Sequence, residues 1–369
     1  MIGMHICFRT DASLQIGTGH VMRCLALADA LTAAGASCLF ICREHRGNML
    51  ALIRQRGHQA IGLPEFALRD ATLRREPMGE PTHAAWLGVD WQTDALQTRM
   101  ALGARTPDWL IVDHYALDAR WESNVSQRCH RLMAIDDLAD RAHACNVLLD
   151  QNLVIAMEQR YCDKVPAYCT CLIGPQYALL RPEFRALRQA SLARRKAPVL
   201  ERLLVSMGGT DDTNETAKVI AGVQLAKRHW QHIDVVVGQD YPAAQQLRES
   251  LVAIPTAELH IQTRQMASLM EAADLAITAC GSVTWEKCTL GLPSIGVILG
   301  ENQRPIATML QQLGAQRILG AGPDVTPAMY ADTLDATQVD ELSAMIDSAS
   351  AICDGGGAQK VSTILEHYA

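Results

Sequence analysis

One pattern constrains this chain more than any other: a short apolar run, a turn of small residues and a stretch with helical spacing, used at 5–33, from 203 through 207–214, and from 275 through 286. A strand that feeds a helix brings the next strand back in parallel, and ligands then collect at the carboxyl ends of the strands. In the first half the periodicity predicts strands over 5–9, 37–42, 109–113 and 132–135, with helices over 21–33, 48–55 and 91–103. In the second half it predicts strands over 203–206, 233–237, 258–261, 275–278 and 294–299, with helices between them. The fold class is therefore α/β, as two doubly wound, Rossmann-like domains facing across a cleft. We expect domains at 1–190 and 191–353, joined through a basic, proline-flanked stretch at 177–199. A terminal helix within 354–369 is expected to pack back on the first domain.

Composition narrows the function. A chain of 369 residues exceeds the usual size of one core, and 49% hydrophobic with 20% charged residues is a globular mixture. A net charge of -7 argues against a surface that tracks nucleic acid. An anionic ligand must then be held locally, by backbone N–H groups at helix starts. The chain enters a strand directly and its longest apolar runs, such as 292–299, are broken early, so we expect a cytoplasmic protein that uses no membrane. Twelve scattered cysteines, several in core-like runs, fit reduced thiols. The Cys169 and Cys171 pair lacks the further ligands of a zinc site.

Three constellations carry candidate chemistry. In the first, Arg9, Thr10 and Asp11 end a strand, and Gly17, Gly19, His20 and Arg23 follow in a turn that opens a helix. Met22 occupies the place of the third glycine of a dinucleotide fingerprint, and no Walker A loop occurs anywhere in the chain. What remains is an imidazole at a helix start that can activate water, with Asp11 placed to orient it. The plain alternative is a histidine that caps the helix or packs. In the second constellation, Gly208, Gly209 and Thr210 form a turn whose amides suit phosphate, or which Asp and Thr simply cap. In the third, Gly281 and Ser282 offer amides to a diphosphate, and Glu286 offers a carboxylate to two ribose hydroxyls or is a surface charge. Glu301, Asn302 and Gln303 follow the next strand. Tyr115 is a candidate for contact with a sugar or with the attacking water. Asp136 and Asp137, adjacent on an extended chain, point opposite ways and are read as capping the next turn.

The motif D-A-S-x-x-I-G-x-G-H-x-M-R-C, with the later G-G-T-D, G-S-x-x-x-E and G-E-N-Q, resembles the UDP-2,4-diacetamido-2,4,6-trideoxy-β-L-altropyranose hydrolase family of pseudaminic acid biosynthesis. The resemblance runs through 9–23, 112–115, 136–152, 174–184, 207–214 and 278–303. It implies a GT-B-like architecture with UDP on the second domain, the sugar facing the first, and His20 as the catalytic residue. It implies a role in supplying the sugar for flagellin glycosylation. The expected ligand is the UDP-sugar, with no cofactor and no metal, and a monomer is the simplest state. UDP leaves readily, so the expected task of His20 is to take a proton from water attacking the anomeric carbon, with inversion. A GT-B glycosyltransferase with the same donor is the alternative, and a non-catalytic nucleotide-sugar-binding protein is a further one.

Overall fold

The structure, a computed structural model, describes residues 3–65, 80–209, 211, 213–239 and 241–368. The chain forms two compact units. One comprises 1–152, 156–179 and 357–369, the other 153–155 and 180–356.

In the first unit, strands β1 (His5–Thr10), β2 (Ser37–Arg43), β3 (Gln59–Leu63), β4 (Trp109–Asp113), β5 (Arg131–Ile135), β6 (Val147–Asp150) and β7 (Thr170–Ile173) form a parallel sheet in the order β3-β2-β1-β4-β5-β6-β7. Helices cover both faces, so a central strand is apolar at consecutive positions, as at Leu110, Ile111 and Val112, all buried. Alternation sends Ile6, Phe8, Trp109, Ile111, Met133 and Ile135 to one face. Cys7, Leu110, Val112, Leu132 and Ala134 go to the other. The helix Gly19–Ala33 lies on the first face through Val21, Cys24, Leu25, Ala28 and Leu31, a 3.6-residue stripe on an alanine-rich background. It stops at Gly35, which takes the left-handed conformation (φ 95°) that a side chain would strain. The terminal helix Gly357–His367 adds Ala358, Val361 and Leu365 to the same core. Trp109 donates from Nε1 to the Leu365 carbonyl at 3.3 Å. Phe8, fully buried and stacked 4.7 Å from Phe40, anchors this layer. Truncating it to alanine costs about 3–5 kcal/mol.

In the second unit, β8 (Arg202–Ser206), β9 (His232–Val237), β10 (Ala257–Ile261), β11 (Leu275–Ala279), β12 (Ser294–Ile298) and β13 (Arg317–Ala321) are parallel in the order β10-β9-β8-β11-β12-β13. In both sheets the order of progress reverses once, between β1 and β4 and between β8 and β11. Those reversals open a crevice at the carboxyl ends of the strands.

The chain crosses between the units within 177–199, at 179/180, but most of the stretch belongs to the second unit. It holds the helix Pro182–Arg194 of the second unit, whose main segment starts at Leu180 rather than at 191. Its basic residues serve the carboxyl ends of helices within that unit: Arg195 donates to the carbonyls of Ala273 and Met270, both at 2.7 Å, and Arg188 to those of Thr289 and Ser350. Strands β3, β6, β7 and β13 escape a search for apolar runs because they are short or, like β13, interrupted by a glycine. Within 64–105, residues 66–79 lie outside the described residues. The rest includes the helix Trp91–Leu102, capped by the Asp90 carboxylate, which accepts from the Thr93 amide at 2.7 Å. All twelve cysteines are free thiols. No helix among the described residues is long and apolar enough to cross a membrane.

Candidate active site

The strand alternation that builds the first unit decides which charged residues meet. Ile111 points toward the helix Gly19–Ala33, so Asp113, two residues on, does too. His20, the second residue of that helix, is 7% exposed and places Nδ1 2.6 Å from Asp113 Oδ1. Arg23, one turn further, grips the same carboxylate with two hydrogen bonds, Nε to Oδ2 at 2.6 Å and Nη2 to Oδ1 at 2.7 Å. Its Nη1 donates to Asp137 Oδ2 at 2.8 Å, and the Tyr115 hydroxyl donates to Asp137 Oδ1 at 2.5 Å. Asp137 continues the alternation of Met133 and Ile135. The His20 and Tyr115 rings meet edge to face at 4.5 Å.

Burial alone would raise the Asp113 carboxyl, yet the Arg23 guanidinium and His20 override it and hold the group well below the usual carboxylate range. An ionised Asp113 accepts a hydrogen bond from Nδ1–H of His20, the tautomer that leaves the lone pair on Nε2. Arg23 Nη2 also approaches Nδ1 at 3.2 Å. Arginine can only donate, so the shorter contact to the carboxylate fixes the tautomer. Burial, and then Asp137, push the Tyr115 hydroxyl upward, and it stays protonated.

Arg9 and Asp11 do not join this group. Their odd positions on β1 follow Cys7 onto the opposite face, where both are fully buried. Arg9 binds Asp11 at 2.6 and 2.9 Å and Asp94 at 2.6 Å; Asp94 also receives Arg43 and Trp121. Asp11 accepts from the Arg43 amide at 2.6 Å and lies 3.4 Å from His114. Two cations and two anions balance there without solvent, as a closed structural network. Asp113, not Asp11, orients His20. Asp136 faces the same opposite side as Asp11. It accepts from the Ala139 amide at 2.9 Å and from Tyr161 at 3.0 Å, which makes it the turn-capping member of its pair.

The turn before His20 stays open. Gly17 has φ 78°, and a side-chain carbon built on Gly19 would meet nothing within 4 Å. Above Tyr115 lie two rings that motif reading passes over, His83 at 5.4 Å and Trp86 at 5.9 Å, themselves 4.3 Å apart. They sit on a single helical turn, Ala84–Leu87, and the residue before it. No periodic signal marks so short an element.

In the second unit the candidates gather at the carboxyl ends of β8, β11 and β12. Gly208 takes φ 105°. Thr210 lies outside the described residues. Asp211 accepts from the amides of Glu215 at 2.9 Å and Thr216 at 2.8 Å, so the following helix, Glu215–Leu225, has its first donors occupied and presents no free anion cradle. The helix Val283–Leu290 differs: Ser282 at its N-cap makes no side-chain hydrogen bond to it, and in its first turn the Thr284 amide donates to the Gly281 carbonyl at 3.0 Å. Gln303 lies against Gly281 and accepts from the Leu299 amide at 3.0 Å. Asn302 is exposed, and Glu301, also exposed, pairs with Arg304 at 2.8 Å. Glu286 is half-buried, with Arg181 3.7 Å away. Burial pushes its carboxyl up to about 7 against the pull of Arg181.

Two reversing parallel sheets with such sites at their strand ends define a protein of the GT-B fold. The chain matches the crystal structure of Acinetobacter baumannii MurG with a TM-score of 0.66 over 99% of both chains at 14% identity. Among curated proteins it is similar to the UDP-2,4-diacetamido-2,4,6-trideoxy-β-L-altropyranose hydrolase of Campylobacter jejuni, 23% identical over 84% of this chain and 97% of that protein. It is also similar to the spore coat polysaccharide biosynthesis protein SpsG of Bacillus subtilis, 28% identical over 52% of this chain. The chain spans 57% of the length of that protein, and 57% of an uncharacterized protein of Methanocaldococcus jannaschii. No protein-family model matches the chain.

Proposed function

We propose that this protein hydrolyses a UDP-sugar of the diacetamido-trideoxy class to UDP and the free sugar. The observation that carries the reading is the 2.6 Å contact between His20 Nδ1 and a buried Asp113 at the reversal point of the first sheet. The similarity to the Campylobacter jejuni hydrolase over nearly its whole length supports it. In the proposed step the Nε2 lone pair takes a proton from water while the water oxygen bonds to the anomeric carbon. The bond from that carbon to the diphosphate breaks on the opposite side, UDP departs with the electron pair, and the configuration inverts. General base help of this kind contributes about 10²- to 10⁴-fold, and positioning supplies more. Attack at carbon asks for no metal at the reacting centre.

The remaining roles follow from chemistry. The turn amides at Gly281 and Ser282 receive the diphosphate, with Gly208 and Gly209 permitting close approach of backbone, and Glu286 receives the ribose hydroxyls. Gln303 lies against that turn, and Asn302 precedes Gln303 in the chain. Tyr115, with His83 and Trp86, offers the sugar an aromatic wall with one hydroxyl in it. The expected setting is cytoplasmic, with the protein acting as a monomer. Turnover in ¹⁸O-labelled water tests the step: label is expected in the released sugar, and label in UDP would show attack at phosphorus and end the proposal. The GT-B fold also suits a glycosyltransferase. That reading requires release of UDP to be slow with water and to quicken with an alcohol acceptor.

A further inference from the structure

A second polar cluster sits on the other unit, at the end of the sheet opposite its glycine turns. His232 and Asp234 are the first and third residues of β9, and Glu258 and His260 the second and fourth of the edge strand β10. The register pairs Glu258 with Asp234, so alternation puts all four side chains on one face. Asp234 is 2% exposed. Its Oδ1 receives two imidazole nitrogens, His232 Nε2 at 3.0 Å and His260 Nε2 at 2.8 Å. Among the described residues its Oδ2 makes no hydrogen bond and lies 3.5 Å from the Arg202 guanidinium. His232 Nε2 is also 3.9 Å from Glu258 Oε2.

A buried carboxylate oxygen left without a hydrogen bond has capacity for a further partner. The distances suit an ion. One ligand atom each from His232, Asp234 and Glu258 lie within 4.8 Å of one another. Zinc held at about 2.0–2.2 Å by nitrogen and oxygen in a tetrahedron sets its ligands about 3.4 Å apart. The two contacts of His232 Nε2, at 3.0 and 3.9 Å, bracket that value.

The geometry points to a divalent transition-metal site of the zinc class, with His232 Nε2, Asp234 and Glu258 as ligands and water in the fourth position. His260 and Arg202 hold the Asp234 carboxylate from outside, as second partners of a ligating group do. Two carboxylates balance the charge of the ion, which ties the edge strand β10 to β9. The sequence hides the site because its halves lie on different strands, 26 residues apart at Asp234 and His260.

The test uses the full chain, reduced, with Zn²⁺ as the only probe. Titration calorimetry should show a site that weakens in Glu258→Gln, and further in the double variant His232→Gln, Glu258→Gln, by more than the about 10- to 100-fold that loss of an outer-shell partner costs. Glu258 is 61% exposed, so its single variant leaves the fold intact, which far-ultraviolet circular dichroism verifies. Crystals soaked in Zn²⁺ should give an anomalous peak bonded to His232 Nε2. Equal affinity in wild type and variants, no binding, or peaks only at cysteine sulfurs would overturn the proposal.

Discussion

Replacing Asp113 with asparagine separates the electrostatic account of the site from a merely steric one. The side chain is isosteric and fully buried, and it makes three short polar contacts, to His20 at 2.6 Å and to Arg23 at 2.6 and 2.7 Å. An asparagine carbonyl at the Oδ1 position still accepts from His20 Nδ1 and Arg23 Nη2 but sets its N–H₂ against the Arg23 Nε donor, whereas a carbonyl at the Oδ2 position keeps Arg23 Nε and sets the N–H₂ against His20. In the second orientation the amide N–H₂ faces Nδ1 and donates to it, which moves the imidazole proton to Nε2 and removes the base. Breaking a buried ion pair costs about 3–5 kcal/mol, and Arg23 keeps Asp137 at 2.8 Å. A loss near 3 kcal/mol is therefore expected, within the roughly 5–15 kcal/mol of a folded domain. The assay is steady-state release of UDP, with folding followed by urea titration. The prediction is a kcat lower by about 10²- to 10⁴-fold at little-changed KM, because the groups proposed to hold the nucleotide belong to the second unit. A folded variant whose kcat stays within about threefold of wild type would refute the tautomer argument.

Arg9→Met should act the other way: about 3–5 kcal/mol of stability lost by urea titration, since Asp11 and Asp94 lose their shared cation, with kcat of the folded protein retained. Glu286, raised from 4.5 to about 7 by burial, holds its proton more tightly when folded than when unfolded. Its contribution to stability is therefore full below pH 4.5 and is lost as pH rises through 7, by at most about 3 kcal/mol, less what the exposed fifth of the side chain screens. Glu286→Gln should flatten that fall in thermal melts taken from pH 4 to 8, and an unchanged pH slope would count against it. Trp86→Ala should reduce kcat/KM about tenfold, roughly 1.4 kcal/mol, mainly through KM, and an unaltered KM would remove the aromatic wall from the sugar's surroundings.

The two α/β sheets were legible because parallel strands buried on both faces leave continuous apolar runs, as at Leu110 to Val112 and Leu275 to Ile277. Strands β3, β6, β7 and β13 were not, being four or five residues long with polar or glycine positions. His20 was visible from its place at a helix start. Its partner was harder to see, because proximity in sequence favours Asp11, two residues beyond Arg9, whereas three-dimensional proximity follows the parity of the strand. Counting alternation outward from the apolar residues would have found Asp113 and Asp137: each is two residues beyond an isoleucine that faces the helix Gly19–Ala33. The same count assigns Arg9 and Asp11 to the opposite face, with Cys7. His83 and Trp86 obey no period and needed tertiary structure.

The most direct test is single-turnover release of UDP by His20→Asn, with nucleotide binding measured in the same preparation. The account predicts that UDP binds as in wild type while turnover drops by about 10²-fold or more. Turnover at the wild-type rate in a variant that has lost the ring would contradict it.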